Sequence, residues 1–279
     1  MKRPLFINNL TLFIIASILM TIDHIGLFIG VYNPGIDVLW LRIIGRLAAP
    51  LYIFLLAEGV RHTRNIYKYL LRIGLMALSV ILIMLIINVL APNSGLYGVR
   101  NIFLEFFFLI LTIVFLKLQP KILKLLALLP IGAIITGYLL PKFALVPLQY
   151  SFLLPEYDVF ALVLFLGFYF SSTIIRLVYQ KYNLTTSETL ETNPQYLFIK
   201  NLFSVAVIIL TTFIFYLCAE LGFIYEYGGI QSFFIFSFIF IIFYNYRLGY
   251  RGKITKWIKY TYYPVHLLIL FLAFSLIFM

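Results

Sequence analysis

Nine apolar runs, separated by short polar breaks, fill this chain from end to end. They fall at roughly 10–31, 39–59, 70–90, 101–117, 122–140, 158–178, 199–219, 231–246 and 262–279. Most reach the ~20 residues that a helix needs to cross the hydrocarbon core of a bilayer. In lipid every backbone N–H and C=O must find its partner inside the protein, which leaves only helices and closed barrels. The ten-residue alternating segments of a barrel are absent. The expected fold is therefore all-α, a polytopic transmembrane helical bundle of about nine spans. One integral-membrane domain, 1–279, is expected. The fourth and eighth runs are the shortest and their ends the least defined.

Charge sets the orientation. Only 11% of residues are charged and 63% are hydrophobic, against about 25% charged in a soluble domain. A net charge of +11 would point to nucleic acid in a soluble protein. Here the Lys and Arg collect in the breaks. With the N-terminus cytoplasmic, 17 of the 21 basic residues fall on the inner side, leaving Arg42, Arg46, Arg100 and Lys142 outside. This is the positive-inside pattern, so the chain is expected to run N-inside to C-outside in the cell membrane. The lipid bilayer is the expected partner, with no nucleic acid. Cys218 stands alone and supports neither a disulfide nor a thiolate metal site. The opening MKRPLF imitates a signal peptide, but the apolar stretch behind it is too long and lacks a small-residue cleavage site, so it reads as an uncleaved first helix. A polar break at about 179–198 reads as a cytoplasmic loop. No inverted repeat of the secondary-transporter kind is visible.

Two groups of ionisable residues break the apolar pattern. Asp23 lies eight residues from the outer end of the first span, about 12 Å deep, and Arg46 seven residues into the second, about 10 Å deep. Each alone would cost roughly 2.5–3.5 kcal/mol at mid-membrane, so the two are expected to pair. Arg42, one turn above Arg46, then needs an anion or water. Gly26 and Gly30, with Gly45 and Ala49, allow the two helices to approach closely, and Pro50 is expected to kink the second. His24 follows Asp23 and can act as a proton acceptor, or as a structural histidine bonded to a facing carbonyl. Asn101 and Glu105 open the fourth span on the outer side, either completing this cluster or, for Asn101, capping the helix.

The second group sits at the inner edge. Glu58 ends the second span, followed by Arg61, His62, Arg64, Lys68 and Arg72. Arg247, Arg251, Lys253, Lys256 and Lys259 precede the last span, where Pro264 and His266 are expected just inside the cytoplasmic boundary. Part of this is orientation signal. The other reading is a cytoplasmic pocket for a nucleotide or coenzyme phosphate clamped by Arg. The glycines of YRLGYRGK at 246–253 would let backbone approach such a ligand. No phosphate-loop, Rossmann or HExxH pattern occurs. Three histidines at opposite depths do not make one metal site, and no metal is expected.

DHIG at 23–26, GRLAAPLY at 45–52, AEGVRHTRN at 57–65, YLLR at 69–72, Asn101 and the terminal YRGK…YYPVHLLIL together resemble the TraX family of membrane acetyltransferases. That family is best known for acetylating the N-terminus of conjugative pilin. In outline it is similar to the acyltransferase-3 and glucosaminide-acetyltransferase membrane enzymes. The match covers residues 20–105 and 245–272, within a catalytic-type core of 8–120 plus 245–279. Ala49 departs from the pattern, standing where an aromatic is expected before Pro50. The resemblance implies that His24, with Asp23, is the catalytic base or acetyl carrier and that Arg46 is the structural or oxyanion-stabilising cation. Acetyl-CoA is the implied donor, on the side of Glu58, Arg61, His62, Arg64, Arg72, Arg251, Lys253 and His266. Arg42, Asn101 and Glu105 would face the acceptor, a peptide or pilin N-terminus, a polysaccharide or a lipid-linked glycan.

The expected function is transfer of an acetyl group from cytoplasmic acetyl-CoA to an amine or hydroxyl at the membrane or its outer face. Two rivals use the same residues. A small-solute or lipid transporter would use the buried charges as a path, and a non-catalytic assembly protein would need them only for structure.

Overall fold

A computed structural model describes residues 5–90, 99–183, 193–222, 229–250 and 252–278. Among these the chain is helical, with two isolated β-bridges and no strand. The helices are α1 (Asn9–Tyr32), α2 (Leu39–Arg46), α3 (Ala48–His62), α4 (Ile66–Leu90), α5 (Ile102–Leu116), α6 (Leu128–Lys142), α7 (Asp158–Asn183), α8 (Pro194–Glu220), α9 (Phe238–Ile241) and α10 (Lys253–Phe278). Shorter 3₁₀ turns cover Lys121–Ala127, Leu148–Leu153 and Gly229–Ser237.

Seven segments are long and apolar enough to cross a membrane: Asn9–Tyr32, Leu39–His62, Ile66–Leu90, Lys121–Lys142, Asp158–Tyr182, Pro194–Glu220 and Lys253–Ile277. The fourth and eighth expected spans are shorter, Ile102–Leu116 and Gly229–Ile241. The face of α4 shows why this is a multi-pass membrane protein. Ile73, Ala77, Val80, Met84 and Ile87 are buried, while Leu71, Leu75, Leu78, Leu82, Leu85 and Val89 are exposed. Both stripes follow the helical repeat and both are apolar, so the outward one has lipid as its natural solvent.

Pro50 interrupts the second span, as expected of it. The helix breaks at Leu47, whose N–H bonds Ile44 O at 3.3 Å, and restarts at Ala48. This places Pro50 in the first turn of α3, where backbone N–H groups have no intrahelical acceptor and a missing one costs nothing.

Chain contacts divide the protein into two compact units. The first comprises the chain up to Asp23, Leu39–Arg61 and Val163–Thr255. Its centre is Phe54, whose ring meets Phe168 and Tyr244 edge-on at 5.2 and 5.1 Å. Gly167 lets α7 approach α8, since a Cβ there would sit 2.5 Å from Val207 Cγ1. The eighth span, expected to run helically to residue 246, ends at Ile241. The backbone beyond it is irregular and would leave buried polar groups orphaned without partners. Asn201 Nδ2 donates to the carbonyls of Ile242 and Tyr244 at 3.1 and 2.8 Å. Ile7 N–H donates to Phe243 O, Asn245 N–H to Ile7 O and Asn9 N–H to Arg247 O. Gly249, at φ +70°, lies against Asn8, and a Cβ there would be 2.6 Å from Asn8 Oδ1. A Cβ at Gly252 would meet the Tyr250 ring at 2.6 Å. Both glycines allow close packing within the chain.

The second unit comprises His24–Val38, His62–Leu162 and Lys256–Met279. Here α5 packs between α4 and α6. Gly137 of α6 meets Pro155, which a Cβ would approach to 2.5 Å.

Candidate functional site

In the first unit the expected Asp23–Arg46 pair is present. Arg46 Nη2 donates to both carboxylate oxygens of Asp23 at 2.6 Å, and its Nε to Oδ1 at 3.2 Å. Asp23 also answers the demand of Arg42 for an anion. Arg42 Nη1 bonds Oδ2 at 2.7 Å and the Asp23 carbonyl at 3.0 Å. One carboxylate thus serves two guanidinium groups, in the short charge-assisted geometry that makes such bonds strong. The close approach comes from Gly45, where a Cβ would fall 2.1 Å from that of Asp23. Gly30 instead faces Val38 of the following connection. Gln231, whose Oε1 accepts from Arg46 Nη1 at 3.4 Å, was not singled out in the sequence. Its signal is its polarity within an otherwise apolar run.

In the second unit His24 meets a residue that its expected depth had kept away. Its Nδ1 lies 2.7 Å from Nε2 of His266, and both residues are buried. Pro264 does not start the last helix; it lies inside α10, which begins at Lys253. The contact shows that the two histidines do not lie at the opposite depths expected of them. His266 is thirteen residues into α10, about 20 Å at 1.5 Å per residue. The hydrogen bonds fix the tautomers of two neutral rings. Tyr262 O can only accept, so His266 Nδ1, 3.1 Å away, carries the proton. Its Nε2 is then the acceptor for His24 Nδ1–H, and the lone pair of His24 resides on Nε2. Tyr262 stacks on His266 at 5.2 Å and 9°. Tyr263 stands edge-on to both imidazoles, at 5.8 Å from His24 and 5.3 Å from His266.

Asn101 and Glu105 form a separate group in this unit. Asn101 Oδ1 caps α5 by accepting from Phe103 and Leu104 N–H, and its Nδ2 donates to Ala77 O of α4 at 3.0 Å. Of the two roles open to Asn101, the helix cap is the one observed. Glu105 Oε2 accepts from Asp158 N–H at 3.0 Å, and Asp158 Oδ2 pairs with Arg100 Nη1 at 2.6 Å. Both acids are 0% exposed. Arg100 and Asp158 were not singled out as partners, although both flank spans that begin on the expected outer side.

At the inner edge, Glu58 is buried. It pairs with Arg61, and Lys200 Nζ lies 3.9 Å from the same Oε1. His62, Arg64 and Lys253 are exposed, Arg72 is half-buried, and Arg251 lies outside the described residues. Lys200 counted only as an orientation charge in the sequence. Asn193 and Pro194 cap α8 and start it five residues earlier than expected, which carries Lys200 inside. Lys200 Nζ lies 3.6 Å from the centroid of the Tyr246 ring. Outside the helices, burial pushes the Tyr244 hydroxyl up to about 12, offset in part by the Asn9 hydrogen bond and the charge of Arg61. It is a neutral donor at physiological pH.

Among the described residues no group of three metal-ligating side chains converges. A family model described as TraX protein matches residues 9–273. Neither a curated protein nor a solved structure matches the chain at a significant level.

Proposed function

This chain belongs to the TraX family, and we propose that it is a membrane acyltransferase, moving an acetyl group from acetyl-CoA to an amine or hydroxyl acceptor. The observation that carries this reading is the buried His24–His266 pair, with tautomers set by the Tyr262 carbonyl. A base needs its lone pair on a defined nitrogen. His24 Nε2 takes the proton of the acceptor as the nucleophile attacks the thioester carbonyl. The Nδ1–H···Nε2 bond to His266 steadies the imidazolium that forms. Collapse of the tetrahedral intermediate breaks the C–S bond, and His24 returns its proton to the departing thiolate. Alternatively Nε2 attacks the thioester itself and carries the acetyl group to the acceptor. Asp23, Arg42 and Arg46 hold α1 to α2, with Nε and Nη2 of Arg46 directed at Asp23 and Nη1 at Gln231.

In this reading the N-terminus is cytoplasmic, as the basic breaks favour, and the donor enters beside Glu58, Arg61, His62, Arg64 and Arg72. The acceptor, a peptide N-terminus or a cell-envelope glycan, comes from the membrane or its outer face. The test is acetyl transfer by purified protein: H24A is expected to be folded and inactive, and unimpaired transfer by H24A would remove His24 from the mechanism.

One observation favours a second reading, translocation of a proton or small solute. Glu105 and Asp158 are both buried, Glu105 against the Asp158 N–H and Asp158 paired with Arg100, the kind of intramembrane group that marks ion paths. Gradient-dependent flux in proteoliposomes, lost in E105Q and independent of acetyl-CoA, would establish it.

A further inference from the structure

The last helix begins in a basic run. Arg247, Arg251, Lys253, Lys256 and Lys259 follow one another closely, and residues 227–279 hold no Asp or Glu. On α10 both Lys253 and Lys256 are exposed. So are the large apolar residues between and beside them, Ile254 at 75%, Trp257 at 69% and Ile258 at 47%. By helical spacing Ile254, Trp257 and Ile258 share one face of α10, and Lys253 and Lys256 border it. Water is a poor solvent for that face, and hydrocarbon a poor one for its lysines. The headgroup layer suits both, because tryptophan rings and lysine stems bury their apolar atoms and keep a polar end outward.

The length of α10 puts these turns in that layer. Its 26 residues extend about 39 Å, against about 30 Å for the hydrocarbon core. No Lys, Arg, Asp or Glu follows Lys259. The stretch 260–278 alone extends about 29 Å and so fills the core, which leaves Lys253–Lys259 beyond its edge. The lysines do not serve the helix itself. Its first turn holds no acid, and cations there oppose the positive end of the helix dipole. Anionic oxygens beside them offset that cost.

We infer that the start of α10 is a docking surface for anionic phospholipid. Lys253 and Lys256 meet the headgroups, and Ile254, Trp257 and Ile258 enter the acyl boundary beneath them. Charge selects the occupant. A surface with basic residues and no acid favours anionic over zwitterionic headgroups, by about fivefold for each cation close to the membrane surface. The exposed Trp257 and its isoleucines select a lipid over a soluble anion, because only a lipid offers hydrocarbon beside the charge. The surface requires no chemistry and stands apart from acetyl transfer.

The test uses the full chain in bilayers of phosphatidylcholine and phosphatidylglycerol. The tryptophans are Trp40 and Trp257, so W40F leaves Trp257 as the reporter and W257F leaves Trp40. Brominated phosphatidylcholine or brominated phosphatidylglycerol, exchanged for the plain lipid at equal mole fraction, quenches a tryptophan that it touches. The two quenching curves give the association of the anionic lipid relative to the zwitterionic one. In W40F this ratio is expected to be about fivefold or more and to fall as salt is added. Adding K253Q/K256Q should bring it close to one, whereas K253R/K256R, which keeps the charge, should retain it. In W257F the ratio at Trp40 should not respond to K253Q/K256Q. A ratio of one at Trp257 overturns the inference, as does a ratio unmoved by K253Q/K256Q or an equal fall at Trp40. Absence of quenching by either brominated lipid overturns it too, since the face would then be covered by protein, such as a second copy of this chain.

Discussion

His24 and His266 stand 2.7 Å apart, Nδ1 to Nε2, at a sequence separation of 242. The bond joins the first helix of the chain to its last and sets which nitrogen of His24 carries the lone pair. Removing His266 should therefore do more than leave a space. H266A leaves the buried N–H of His24 without an acceptor, a loss of about 1–3 kcal/mol. It should also lower acetyl transfer about 100-fold, the lower range for a misplaced general base. H266Q offers an amide oxygen at a similar reach and should restore part of both. Transfer rates per folded protein, measured beside thermal unfolding, check this; equal rates for all three would show that His266 only fills space.

Asp23 is shared by two arginines, so its loss should be worse than the loss of either partner. D23N leaves Arg46, 6% exposed, facing a neutral amide; breaking such a buried pair costs about 3–5 kcal/mol. R42Q, on the more open side with 22% of its side chain exposed, should cost less than R46Q. Unfolding temperatures in one detergent give the order.

Gly45→Ala should force α2 away from α1, because the new Cβ would fall 2.1 Å from that of Asp23. Overpacking of this kind costs typically 1–3 kcal/mol. Gly132→Ala provides the control. It lies within α6 with nothing inside 4 Å of the added carbon and should be neutral or stabilising by up to about 1 kcal/mol. If both behave alike, the crossing at Gly45 is not tight.

Glu105 accepts from the Asp158 N–H, and Asp158 pairs with Arg100. E105Q keeps an uncharged side chain beside Asp158, and its amide oxygen still accepts from Asp158 N–H. It should leave the unfolding temperature unchanged or raised. R100Q removes a cation paired with Asp158 and should lower it. The opposite order would show that Glu105 is held by a cation lying outside this group.

Sequence patterns carried the all-helical, membrane-spanning character, because apolar length is a local property. They also carried the Asp23–Arg46 pair, because two opposite charges at matched depth have few other ways to be satisfied. The errors share a cause. Helix starts were placed where hydropathy rises, whereas α8 and α10 start earlier, in polar residues. That shift carried Lys200 inside and placed His266 in the middle of its helix. The Asn193–Pro194 start was legible as a cap followed by an N1 proline. The His24–His266 contact was not legible, because nothing local marks which distant histidine a helix will meet. The irregular segment after Ile241 was hidden for the same reason: Asn201 satisfies the Ile242 and Tyr244 carbonyls, and the backbone of Ile7 and Asn9 satisfies the Phe243 and Arg247 carbonyls and the Asn245 amide.

The central claim is that His24 performs acyl chemistry. Purified protein incubated with acetyl-labelled acetyl-CoA and a peptide or amino-sugar acceptor gives the most direct test, with H24A and H266Q alongside. Label should appear on the acceptor, or transiently on His24, with the parent protein. It should be reduced but present with H266Q and absent with a folded H24A. Equal labelling by the parent and H24A would contradict the account.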